Sequence, residues 1–480
     1  MPTIVSGVKS TAETAGGTVT FQWSILSSPV GSAPKIRPVI AGDEREVVLV
    51  TDKDGDYVIG LVLIVTPTDG GDVTSSALDT VTVHARLPSG PLSVSYVDPS
   101  QIAVGSGATK LNVSGTNFAC TSVIQVGGVA LPTELGISGN KITALSASLP
   151  SSMLSTLALL PVTVSTGDQV SNALSVMTYA PLAANALLYE PAAGALYATL
   201  PSKAGVAGNM LVRLDAANGG ILASYDVGAE PDKMILSADG QHLFVSLAGS
   251  NVIRRFAVAS TSVDLELTIG AASGGSPYRT ARMLVLSDQA LLVVATDGYA
   301  ANPSYGATIY DGAVARPSAV AMGQLGGSAL ALSSDEQTAY VAVSRAMRRA
   351  SITASGISIA DTTLGVQQPT SDLVLLAGRL FSAAGDIIDP SVPKWVASLM
   401  RFGSIAADPP TARIFFLDNG NPASLAAFST TTLELTGEQI FPSSFAGSGS
   451  FRAFTRCGSR FAFVSGWDRL FVFEAPNVQP

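Results

Sequence analysis

Three aspartates crowd one short stretch: Asp52, Asp54 and Asp56 surround Gly55 in TDKDGDYVIGLVL, residues 51–63. Acids spaced this way around a glycine open an EF-hand-type calcium loop, which needs further oxygen ligands after the glycine and a bidentate glutamate at position 12. Counted from Asp52, that position is Leu63, inside an apolar run. The calcium loop fails there, and a tight turn through Asp54-Gly55 that delivers Tyr57 into the next strand accounts for the same residues. A weak exposed cation site is the remaining alternative. His84 and His242 are the only histidines, which leaves almost no material for a histidine-based metal site or a Ser-His-Asp triad. Cys120 and Cys457 are far apart in sequence and read as small buried hydrophobes rather than a disulfide. No catalytic residues, bound metal or cofactor are expected.

The elements that hold these residues are short. At 480 residues the chain has room for about three domains. A net charge of −9 would repel phosphate backbones, so nucleic acid is disfavoured as a partner. Charged residues make up only 13%, about half the usual share. Mean hydropathy is +0.39, yet the longest apolar run, 57–65, is far shorter than the ~18 residues that span a bilayer. Membrane insertion is not expected, and the apolar excess belongs in cores or in contacts between subunits, including those of a homo-oligomer. The first residues show neither a charged start nor an apolar h-region, so the chain either stays inside a cell until lysis or is a mature piece of something longer.

Residues 1–88 alternate β-rich runs with Gly, Pro, Asp and Ser clusters, the pattern of an antiparallel sandwich. Alternation puts Val19, Phe21 and Trp23 on one face of the first long strand, and Tyr57, Ile59, Leu61 and Leu63 on one face of another. Trp23 therefore reads as core. FQWSILSSPVGS, DKDGDYVIGLVL and TVTVHA, in that order, resemble the PKD family of extracellular immunoglobulin-like domains. After the break at LPSGP, residues 91–180 carry an early Asp98-Pro99-Ser100, a strand into Gly115-Thr116-Asn117-Phe118, a Val126-Gly127-Gly128 hairpin and a late Ser171-Asn172. This stretch resembles an IPT/TIG domain, again immunoglobulin-like. Gly115 and Asn117 fit left-handed or turn conformations there.

From 183 to 478 the chain repeats. Second strands of a four-strand unit begin near Leu196, Leu243, Leu292, Ala339, Leu380, Ile414 and Phe461, at spacings of 34 to 49 residues. That is the period of β-propeller blades, seven of them. The unit around EPDKMILSADGQHLFV resembles YVTN-type and lactonase-like propellers, whose hydrolytic members use polar and charged funnel groups, histidine included. In a four-stranded blade, first-to-second and third-to-fourth turns share one face, and second-to-third and inter-blade connections share the other. The first-to-second turns are terse, as at Asp239-Gly240 and Asp335-Glu336. Residues 201–209, 297–306 and 384–394 read as expanded second-to-third connections, and 270–282 as a long inter-blade one. Enlarged loops on one face mark a binding face. Candidate anchors there are Tyr278, Arg279, Tyr299, Tyr305, Arg348, Arg349 and Trp395, because Tyr, Trp and Arg dominate interface energetics. Arg345, Arg348 and Arg349 read first as a solvated basic edge, with contact to an acidic partner as the alternative, and Trp395 reads equally as packing against its own blade.

The chain thus reads as all-β: two immunoglobulin-like β-sandwiches followed by a seven-bladed β-propeller. The leading expectation is a non-enzymatic extracellular-type binding protein. As a bacteriophage virion component, it would be a tail fibre, receptor-binding or capsid decoration protein. Its partner would be a protein or cell-surface carbohydrate, alongside other virion subunits. A secreted bacterial surface adhesin and a lactonase-like hydrolase are the alternatives.

Overall fold

A computed structural model describes residues 3–8, 17–40, 42–138, 141–271, 276–298, 303–343, 346–365, 370–391, 394–445, 451–466 and 468–478. The fold is all-β: among the described residues the only helices are short 3-10 turns, and none is long and apolar enough to cross a membrane. Two compact units are present. The first comprises Met1–Ser100, Ser106–Met153 and Leu160–Val176; the second comprises Gln101–Gly105, Leu154–Leu159 and Met177–Pro480.

The first unit begins with seven strands: β1 (Thr3–Ser6), β2 (Gly17–Ser27), β3 (Lys35–Ile40), β4 (Asp43–Val50), β5 (Gly55–Pro67), β6 (Thr74–Ser75) and β7 (Asp79–Ala85). One sheet has the order β1-β4-β3, and in the other β5 lies between β2 and the pair β6 and β7. The alternation in β2 and β5 sets which side chains meet. Trp23 and Ile25 from β2 join Tyr57 and Ile59 from β5, Val83 and Ala85 from β7, and Val5, Ile36 and Leu49 from the opposite sheet. Trp23 also donates its indole N–H to the Glu44 carbonyl at 2.7 Å.

Residues 91–176 add a sheet built from Thr133–Ser138, Lys141–Leu149, Thr109–Thr116 and Ser93–Asp98, and pairing of Val123–Val126 with the strand after Ala158. Leu111, Val113, Ile124, Val126, Leu145 and Val164 are buried there. Asn117 has a left-handed φ of 62°, as its type and place suggest. Gly115 does not; glycine is needed there because a Cβ would collide with the Ser93 carbonyl.

The second unit is a propeller of seven blades in chain order, whose strands we letter a (inner) to d (outer). Blades 1 to 6 begin at Ala186, Pro231, Arg279, Ala329, Leu373 and Ser404, each a four-stranded antiparallel sheet. Blade 7 has Phe451–Cys457, Arg460–Ser465 and Arg469–Glu474 as a to c, and its d strand comes from earlier in the chain: Ala180 and Pro181 pair with Leu470 and Arg469. The a strand of blade 1 lies beside those of blades 2 and 7, closing the ring. A boundary at 183 therefore cuts too late, because residues 177–181 belong with the propeller. Every second-strand residue named from the repeat falls in a b strand. Around blade 7 the core is aromatic: Phe441, Phe445, Phe451, Phe461, Phe463, Phe471 and Phe473 belong to one cluster.

Candidate functional site

The acidic turn is fully occupied by the chain itself. Asp52 accepts from the Ser32 hydroxyl, from the Ala33 N–H at 2.7 Å and from the Tyr57 hydroxyl at 3.2 Å. Burial pushes its carboxyl up, but these hydrogen bonds outweigh burial and hold it below the ordinary range. Asp54 accepts the Leu87 N–H at 2.5 Å, and Asp56 faces His84 Nδ1 at 2.5 Å. The three carboxylates reach three separate targets. Among the described residues no group of three His, Cys, Asp or Glu side chains is placed to share one ion.

In the propeller, the predicted anchors are spread over three blades. In blade 3, Arg279 opens strand a opposite Thr296, and Thr296 in turn faces Tyr305 at the start of strand c. This row lies at the end bearing the b–c and inter-blade connections. The Tyr278 side chain packs against the blade core, and so does that of Tyr305. The Tyr305 carbonyl accepts the N–H groups of Gly323 and Leu325 at 2.9 and 3.2 Å. Arg348, in strand c of blade 4, donates to the Gln324 carbonyl. Tyr305 and Arg348 thus converge on one inter-blade crossover and hold its backbone. Arg349 is next in the strand, opposite Tyr340, with its side chain on the other sheet face. Tyr299 and Arg345 lie outside the described residues.

Trp395 is a correction. Residues 384–394 are not one expanded loop: Asp386–Asp389 is strand c of blade 5, its first three residues buried, and the b–c connection is only 383–385. The short turn is fastened by Ser382, whose hydroxyl accepts the N–H groups of Ala384 and Asp386 at 3.2 and 3.0 Å. Trp395 therefore follows the c–d turn and sits toward the terse face. Its indole N–H donates to Asp386 at 3.1 Å, which ties it to its own blade. His242 likewise opens strand b at the terse face, with Nε2 3.4 Å from Asp264 in the outer strand. Asp264 is also bound by Arg255 at 2.9 and 3.1 Å, and those bonds hold its carboxyl below the ordinary range.

Two features of the long-connection side were not read from the sequence. Arg282 in the a strand of blade 3 pairs with Asp372, just before the a strand of blade 5, at 2.5 Å. The pair joins two blades that are not consecutive in chain order. The second feature is a crevice of about 410 Å³ lined by Thr370, Ser371, Ala383, Ala384, Phe402 and Gly403. It gathers the connections into and out of blade 5 with that blade's b–c turn. Beside it the crossover 399–403 lifts Met400 and Phe402 into solvent, 80% and 55% exposed. Met400 holds a left-handed φ of 53°, uncommon for a side chain of this size. Arg401 between them turns back to Glu438 at 3.0 Å, which fixes the projecting tip. Met400 and Phe402 are large apolar residues in LMRFG, between two strands, the one signal the sequence offered.

No family model matches the chain, and no curated protein matches it. Among solved structures, the Pseudomonas aeruginosa periplasmic gluconolactonase PpgL aligns at 15% identity over 60% of this chain and 96% of its own, with a TM-score of 0.40. Apo AztD from Citrobacter koseri aligns at 12% identity over 68% and 91%, TM-score 0.42. The dihydro-heme d1 dehydrogenase NirN aligns at 12% over 68% and 71%, TM-score 0.44. Strand order and pairing define the seven blades.

Proposed function

We propose that the chain is a non-enzymatic binding protein whose propeller engages its partner through the face bearing the b–c and inter-blade connections. One observation carries this reading: Met400 and Phe402 project beside the crevice at blade 5, with Arg401 bonded so as to hold them out. Exposing two large apolar side chains side by side costs solubility, and such sites are where partners dock. The flanking Thr370 and Ser371 hydroxyls suit a protein or a cell-surface carbohydrate as that partner.

On this reading the N-terminal β-modules, with their resemblance to PKD and IPT/TIG sandwiches, are spacers. The weakly charged whole fits a bacteriophage virion component. Fluorescently labelled protein is applied to host cells and to virus particles. Phe402→Ala is expected to weaken attachment about tenfold, the effect of losing a central interface aromatic. Trp395→Ala leaves attachment unchanged. The reading is overturned if Phe402→Ala attaches like the unmodified protein, or if the purified chain hydrolyses lactones.

A further inference from the structure

The first module is open along one side. Among the described residues β1 is bonded only to β4, and β7 only to β5, so each sheet ends in an edge strand on the same flank. Among the described residues no backbone hydrogen bond reaches the outer edge of either strand. Between them runs a cleft of about 580 Å³ floored by Trp23, Ile59 and Leu61, with Val81 and Val83 on one wall and Ile4 and Val5 on the other. That volume lies within the ~300–1,000 Å³ of ligand-binding clefts.

Between Asp79 and His84 near its ends, the β7 edge carries no lysine, proline or bulge. Sheet edges are normally blunted by lysine, proline or a bulge, because unpaired N–H and C=O groups recruit another strand. β7 reads DTVTVHA, pairs with β5 in unbroken register, and leaves Thr80, Val81 and Thr82 exposed. Its composition is that of a strand seeking a neighbour.

We propose that this cleft receives an extended segment of another protein, which adds as a strand to the free edge of β7 and sets alternate apolar side chains over Trp23, Ile59 and Leu61. Strand addition supplies affinity through the main chain and specificity through alternate side chains. A second copy joined through its own β7 is disfavoured because that strand brings the acid Asp79 to a rim that is itself acidic. The rim gives the charge preference: Asp79 stands exposed at one end and Asp56 beside His84 at the other, so the incoming segment is neutral or basic.

The probe is a peptide matched to the seven residues of β7, with alternating valine and threonine and a lysine at each end, added to the full chain. The expected result is saturable binding with new hydrogen-exchange protection in residues 79–85. Val81→Lys, which places a charge in the cleft wall, should weaken binding at least about tenfold. Thr82→Lys, on the other side of the same edge, should do likewise if the first variant misfolds. Two outcomes overturn the proposal: no saturable binding by the unmodified protein, or self-association that Val81→Lys abolishes, which would make a second copy the occupant.

Discussion

The propeller and the first module are built from the same antiparallel strands, but one closes on itself and the other does not. In the propeller, the last sheet recruits Ala180 and Pro181 as its outer strand, and the seam is fastened by arginines. Arg460 donates to the carbonyls of Ala216 and Leu157 at 2.7 Å and of Val472 at 3.3 Å, joining the closing blade to two earlier segments of the chain. Arg469 reaches the Gln101 side chain at 2.8 Å and lies over the Tyr179 ring, 4.9 Å from its centre. Among the described residues no comparable set of bonds joins β1 to β7 in the first module. Closure uses up edges and leaves loops for recognition, whereas two sheets left unjoined keep backbone donors and acceptors available along a strand.

The strongest test of this contrast removes the seam. Arg460→Met keeps much of the side-chain volume but deprives three carbonyls of their donor. Unpaired or poorly solvated acceptors cost ~1–3 kcal/mol each, with water recovering part, so we expect a loss of about 3 kcal/mol confined to the propeller. Hydrogen exchange should speed up in Arg469–Glu474 and in Ala186–Glu190 while β5 is unchanged. Equal loosening of both regions would mean that the seam does not act locally.

A smaller effect should follow from acid. In blades 2 and 4 the a–b turn is one motif: the Ser237 hydroxyl donates to Asp239 and the Ser333 hydroxyl to Asp335, each at 2.5 Å, and each aspartate accepts a backbone N–H two residues on. The serine bond first, and the N–H second, hold both carboxyls below the ordinary range. A depressed folded-state pKa contributes stability that is present above the unfolded value, about 3.9, and is lost as pH falls through the folded one. The propeller melting temperature should therefore decline below about pH 4. The double variant Asp239→Asn, Asp335→Asn should flatten that decline, and an unchanged slope would assign the acid sensitivity elsewhere.

The same turns explain what could be read in advance. Ser-x-Asp followed by Gly or Glu writes the a–b turn of blades 2 and 4 into consecutive residues, so period and strand starts were legible. In blade 5 the turn is Ala377-Gly378, with no acid to mark it, and the c strand DIID lies between Gly385 and Pro390 as if inside a loop. Trp395 was carried to the wrong face by that one misreading. The crevice was illegible for another reason: Ser371, Ala384 and Phe402 are brought together by blade closure, and no local pattern links them. Gly115 shows the converse, since its type was legible but its cause, the nearby Ser93 carbonyl, needed the fold.

The smallest effect is expected at the three aspartates. A structural calcium site gathers six to eight oxygens at about 2.3–2.6 Å around one point, and a ligand bound only to the native state raises the melting temperature in proportion to its occupancy. Here the carboxylates diverge. Asp52 braces the turn against Ser32, Ala33 and Tyr57, Asp54 secures the segment leaving the module through Leu87, and Asp56 faces His84 across the strand pair. Binding an ion would require breaking those contacts, and Leu63 stands where the bidentate acid should be. Neither millimolar calcium nor EDTA should therefore shift the melting of the first module, whereas Asp52→Ala should lower it, because two hydroxyls and an N–H lose their acceptor. A saturable calcium-dependent rise that Asp54→Asn removes would show that the turn rearranges around an ion. The open module would then be stabilised by a bound ligand where the propeller is stabilised by its own chain.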